Sequence, residues 1–200
     1  MKRPNLMKPS LGLLAAFFMG GAYAHSGAHG EQTMLSAFAH PFLGWDHVLT
    51  MLAVGLLAAK NQATLRRLTL PVLFLLSLLL GSVFALLFQG IAFSGMELSL
   101  ALSVTLCGFA LLKPQAFQAH LPLVLTLGLL HGWAHGVELL ASSHASSISI
   151  MAGMLLGSAC LHGLGYGLGV LGLRMNLWHQ FERWVGFGLV SVGMLLSLGV

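Results

Sequence analysis

Charge is what this sequence has least of: Asp, Glu, Lys and Arg make up only 7% of its 200 residues. Soluble domains carry about 25%, so a water-exposed globule is excluded, and the 57% of hydrophobic residues point to lipid. Thiols are scarce too, with two cysteines in the chain. Cys107 and Cys160 both fall in apolar segments with no CxxC pairing, which argues against a disulfide framework or a thiolate metal cage. They read as small packing residues. The basic excess, nine Lys and Arg against five Asp and Glu, is scattered through short gaps between apolar runs. No nucleic-acid partner follows from that pattern, and no soluble domain, linker or nucleotide-binding motif interrupts the chain.

The amino terminus has the layout of a secretory signal. Lys2, Arg3 and Lys8 precede a short apolar core from Leu11 to Gly20, and Ala22-Tyr23-Ala24 supplies an A-x-A cleavage site. Cleavage after Ala24 is expected. The alternative, an uncleaved first span, is disfavoured because the run is short against the about 20 residues a helix needs to cross a bilayer. Residues 1–24 are thus read as a signal peptide, 25–40 as a periplasmic amino-terminal segment and 41–200 as the membrane domain.

Six apolar spans follow, near 41–59, 68–88, 97–112, 121–141, 148–173 and 181–200. Helices are expected, because a bilayer forces backbone hydrogen bonds to close within each segment. Lys60, Arg66 and Arg67 lie between spans one and two, Lys113 between three and four, and Arg174 and Arg183 between five and six. All fall on one side, so that side is cytoplasmic and both mature termini are periplasmic. The fold expected is an all-α integral membrane protein, a six-helix bundle in the bacterial inner membrane. Span five is glycine-rich. Its Gly153 and Gly157 form a small-xxx-small pair suited to close helix packing.

Against this apolar background the ionisable residues stand out, because groups at membrane depth are expensive and are functional candidates by default. In span four, His131 and His135 are one turn apart and Glu138 lies three residues further, which puts all three on one helix face. Two imidazoles and a carboxylate on one stripe can share a borderline divalent metal. In span one, Pro41 suits the first turn of a helix. His40 then lies just before that helix, and Asp46 and His47 one to two turns inside it. Adjacent residues point about 100° apart. One of this pair is therefore read as a ligand, with Asp46 orienting an imidazole through its other N–H. Met51 reads as core, a thioether contact to the ion being the alternative.

Glu97 opens span three on the same side as these acids, and His162 lies deeper in span five, where it could accept an ion handed inward. The metal set is therefore His40, Asp46, His47, Glu97, His131, His135, Glu138 and His162. His25 and His29, at the start of the mature chain, are candidates for capturing metal before entry.

The chain resembles the HupE/UreJ family of nickel or cobalt permeases. The resemblance rests on His40-Pro41-x-x-Gly44-x-Asp46-His47-x-x-x-Met51-x-x-x-Gly55 and His131-Gly132-x-Ala134-His135-Gly136-x-Glu138, with a weaker match at Met96-Glu97-x-x-Leu100-Ala101-Leu102-Ser103. It implies six helices, a periplasmic amino terminus, and uptake of Ni²⁺ or Co²⁺ as transient cargo for hydrogenase or urease. No prosthetic group is expected, and the partners are the metal ion and the lipid bilayer, with a homo-oligomer possible. The competing class is an intramembrane metalloenzyme, a zinc hydrolase or a di-iron oxidase. HExxH is absent and the histidine boxes are few for a di-iron centre. A metal sensor or haem protein is the third class, and no signalling domain supports it.

Overall fold

A computed structural model describes residues 33–60, 64–88, 91, 95–113, 117–141, 147–175 and 178–199. The signal segment, His25 and His29 lie outside the described residues. Among those described, the structure is entirely helical. Its elements are α1 (Met34–Ala39), a 3₁₀ turn (His40–Phe42), α2 (Trp45–Ala59), α3 (Thr64–Leu87), α4 (Met96–Leu112), α5 (Phe117–Ala141), α6 (Ser147–Arg174) and α7 (Trp178–Ser197).

Three helices are long and apolar enough to cross a membrane: 66–87 in α3, 118–140 in α5 and 148–174 in α6. A fourth candidate is the pair Met34–Phe42 and Trp45–Ala59, bent by 79° at its break. α4 is apolar but has 17 residues. Their outer faces are apolar too: Leu68, Val72, Leu76, Leu80 and Val83 of α3 are all exposed, as suits a helix set in lipid.

The bend corrects the expected start of span one. Pro41 does not open the long helix. It sits in the 3₁₀ turn, and α2 begins at Trp45 with Gly44 as its N-cap. The physical reason is local. Pro41 lacks the N–H that would let α1 run on, and Gly44 adopts an extended backbone that turns the chain into α2.

The helices associate in tightly packed pairs. α3 lies against α5, where a Cβ on Gly132 would come within 1.9 Å of the Leu78 carbonyl oxygen and one on Gly136 within 2.6 Å of that of Ser82. Ser82 Oγ donates to the Gly132 carbonyl across this seam at 2.8 Å. α2 lies against α6 in the same manner: a Cβ on Gly55 would meet the His162 carbonyl at 2.2 Å, and one on Gly165 the Leu52 carbonyl at 2.1 Å. α1 rests on α6 at Gly153 and Gly157, and α4 pairs with α7 at Gly108 and Gly193. Small residues permit such backbone approach between apolar helices, where dispersion rather than a hydrophobic drive supplies the attraction. Gly163 and Gly167, off these seams, have nothing within 4 Å.

At the far end of α2, Lys60 Nζ reaches Glu182 of α7 at 2.8 Å and the Leu111 carbonyl of α4 at 3.4 Å. Cys107 is buried as a packing residue, whereas Cys160 is exposed, so only the first of the two thiols fills the interior.

Candidate metal centre

The start of α2 shows how local chemistry positions the first imidazole. Asp46 lies in the first turn, and its Oδ1 accepts both the backbone N–H of His47 at 2.8 Å and the ring Nδ1–H of His47 at 2.9 Å. The first bond satisfies one of the N–H groups a helix start leaves without a partner. The second fixes the ring. A Cβ on Gly44 would come within 2.8 Å of Asp46 Oδ1 and 3.2 Å of His47 Nδ1, so the glycine makes room for this pair. With Nδ1 carrying the proton, the lone pair of His47 is on Nε2, which is buried and has no hydrogen-bond partner among the described residues.

The same arrangement recurs twice. His131 Nδ1 donates to the Leu127 carbonyl of its own helix at 2.8 Å, and His162 Nδ1 donates to the Met51 carbonyl of α2 at 2.8 Å. A carbonyl only accepts, so each Nδ1 holds the proton and each Nε2 presents a lone pair. Both Nε2 atoms are buried with no hydrogen-bond partner among the described residues. Buried polar atoms are ordinarily satisfied. Three imidazoles fixed at one nitrogen and bare at the other have the donor chemistry of metal ligands whose tautomer is set from behind.

The turn before α2 and the end of α5 close the site. His40 Nε2 lies 3.0 Å from Glu138 Oε2, and His135 Nδ1 lies 3.5 Å from the same oxygen. One ligand atom from each of His40, His135 and Glu138 falls within 4.8 Å of the others, close enough to share an ion. His47 links this group to His131, with ring centroids 4.9 Å from His135 and 4.8 Å from His131. His131 and His135 are fully buried. The bend between α1 and α2 is what swings His40 over the carboxyl end of α5.

Charge balance fits a divalent cation. Neutral imidazoles contribute no charge, so Asp46 and Glu138 together offset an M²⁺ ion, and a neutral assembly lowers the cost of holding it at membrane depth. Asp46→Asn keeps an acceptor but removes one of those charges and weakens the hold on His47. Its metal affinity is expected to fall about 10- to 100-fold, read by titrating the purified protein with Ni²⁺ in a calorimeter.

Of the residues singled out in the sequence, His40, His47, His131, His135 and Glu138 converge here, with Asp46 behind His47. His162 is buried one step away. Glu97 does not join them: it is exposed at the first turn of α4 and stands outside the converging ligand atoms. The polar residue of that segment that reaches the interior is Ser103, whose hydroxyl meets that of Thr50 of α2 at 2.7 Å. Met51 is core, its backbone carbonyl rather than its sulfur serving the site. Gly44, Gly132 and Gly136 stand in the motifs that carry the family resemblance, but the sequence assigns them no packing role. Gly128 extends the second pair at a period of four. Phe74, which touches two of the histidines, carries no signal among so many apolar residues.

A family model described as HupE / UreJ protein matches residues 13–196. The chain is 35% identical over 185 residues to Protein HupE of Rhizobium leguminosarum bv. viciae, covering 89% of this chain and 91% of that one. No solved structure matches.

Proposed function

Since the chain belongs to the HupE/UreJ family, we propose that it is a permease carrying a divalent transition metal, Ni²⁺ or Co²⁺, from periplasm to cytoplasm. The observation that carries this reading is the meeting of His40, His135 and Glu138 within 4.8 Å beside the bare Nε2 atoms of His47 and His131. Nitrogen and oxygen donors without thiolate suit transport, which needs binding firm enough to select and weak enough to release. The ion enters at the end of the bundle where α2 begins, is held by the histidine–carboxylate group, and moves on to His162. Hydrogenase or urease maturation is the destination such cargo would serve.

The membrane plan that goes with this function has six crossings, with α4 and α7 completing those of the longer helices and the bent α1–α2 segment serving as the first. Residues 1–24 act as a cleaved signal, both mature termini are periplasmic, and the protein resides in the inner membrane. Lys60, Arg66, Arg67, Lys113, Arg174 and Arg183 support that orientation by falling on one side. Glu97, exposed near the entry end, together with His25 and His29, would serve capture of the ion rather than its coordination within the bundle.

Binding requires neutral imidazoles and ionised carboxylates, so protons compete with the metal. Uptake is therefore expected to decline as the outer pH falls, because protons then compete with the metal for its ligand atoms. Initial rates of metal entry at fixed membrane potential check this. A rate that rises on acidification would overturn the displacement of protons by metal.

A further inference from the structure

Phe74 lies where two of the glycine-seamed helix pairs, α3–α5 and α2–α6, meet. It belongs to α3, its side chain is completely buried, and its backbone lies on the seam with α5, where a Cβ on Gly128 would approach the Phe74 carbonyl to 2.7 Å. Ser77 Oγ, one turn on in the same helix, donates to that carbonyl at 3.0 Å. Its ring touches a histidine of each pair. The centroid is 5.6 Å from that of His131 on α5 and 4.9 Å from that of His162 on α6, the latter contact edge-on at 76°. Among the described residues it is the ring that contacts both.

The two histidines it touches are chemically alike. Each donates its Nδ1–H to a carbonyl, of Leu127 in one case and of Met51 in the other, and each keeps a buried Nε2 lone pair with no partner among the described residues. His131 belongs to the multi-ligand group described above. His162 has no carboxylate within the ion pairs of the described residues and no neighbouring imidazole ring. It is a single-nitrogen station, weaker by construction than the group it follows. An ion stepping from one to the other meets an aromatic ring whose face offers it no donor to replace water or imidazole. Apolar constrictions of this kind stop ions and water until they open. A phenyl ring would open such a barrier by changing rotamer.

We propose that the Phe74 ring is the barrier between an outer metal group ending at His131 and an inner metal station at His162. The proposal rests on the transport reading above and deepens it. It assigns Phe74 to occlusion and His162 to release, and it predicts that neighbouring side chains in van der Waals contact will have opposite effects when truncated.

Purified wild type, Phe74→Ala and His162→Ala are reconstituted into vesicles containing a metal-sensitive dye, and Ni²⁺ affinity is measured in parallel in detergent. Phe74→Ala is expected to bind Ni²⁺ within about threefold of wild type, to pass it about tenfold faster, and to admit Mg²⁺, which wild type is expected to exclude. His162→Ala is expected to keep the tighter binding of the outer group, to lose the weaker inner binding, and to pass Ni²⁺ about tenfold more slowly. A Phe74→Ala protein that binds Ni²⁺ but shows wild-type or reduced flux, or still excludes Mg²⁺, overturns the barrier. Should the alanine variant not fold, Phe74→Leu takes its place with the same signs and a smaller effect. Wild-type vesicles that take up no Ni²⁺ would defeat the transport reading itself, a result distinguishable from the failure of Phe74 alone.

Discussion

Glu138→Gln is expected to abolish metal binding and uptake while leaving the protein in the membrane at normal abundance. The carboxylate is the hinge of the ligand group, its Oε2 lying 3.0 Å from His40 and 3.5 Å from His135. Glutamine preserves size and one oxygen but removes the charge. It also places an amide that can donate to the imidazole nitrogens needed by the ion. Loss of an outer-sphere partner typically costs a metal site about 10- to 100-fold, and a direct charged ligand should exceed that range. Calorimetric titration with Ni²⁺ and uptake at matched membrane levels give the two readouts. Near-normal values in both would remove Glu138 from the site. His40→Ala is the companion. Losing one ligand of the same oxygen should weaken binding less than losing the oxygen.

The second large effect is structural. Gly132→Leu is expected to yield almost no folded protein, because its Cβ would lie 1.9 Å from the Leu78 carbonyl oxygen and 2.7 Å from the carbonyl carbon, backbone atoms that cannot rotate away. Overpacking usually costs about 1–3 kcal/mol and more when nothing can shift. Here α3 and α5 would have to separate, carrying His131 and His135 away from His47. Gly163→Leu is the control, since that position has nothing within 4 Å and faces outward. The ratio of monodisperse protein recovered from the two variants measures the effect. Comparable recovery would show that the α3–α5 seam does not depend on Gly132.

These contrasts show what a sequence can and cannot convey about such a site. His131, His135 and Glu138 were legible because helical periodicity alone fixes their common face. The helical fold followed from apolar length, and the pairing of Asp46 with an imidazole followed from adjacency. His40 was drawn into the set by its place before span one, but it reaches Glu138 only because the chain bends by 79° between α1 and α2, and a proline in a 3₁₀ turn looks the same in sequence as a proline opening a helix. Glu97 was drawn into the set by its depth and side of the membrane, which do not reveal its direction about the helix axis. Phe74 could not have been found at all. Its role depends on which of many apolar residues lies between two histidines from different helices, a fact of tertiary packing with no periodic trace.

Radioactive nickel accumulation in cells deprived of their own nickel importers tests the proposed activity most directly. Wild type and His135→Ala are compared at equal membrane abundance, with excess Co²⁺ or Zn²⁺ as competitors. Wild type is expected to accumulate nickel well above cells lacking the protein, with Co²⁺ competing, and His135→Ala to fall to background. Wild-type accumulation no greater than background, or equal accumulation by both proteins, would contradict a permease that works through this histidine–carboxylate group.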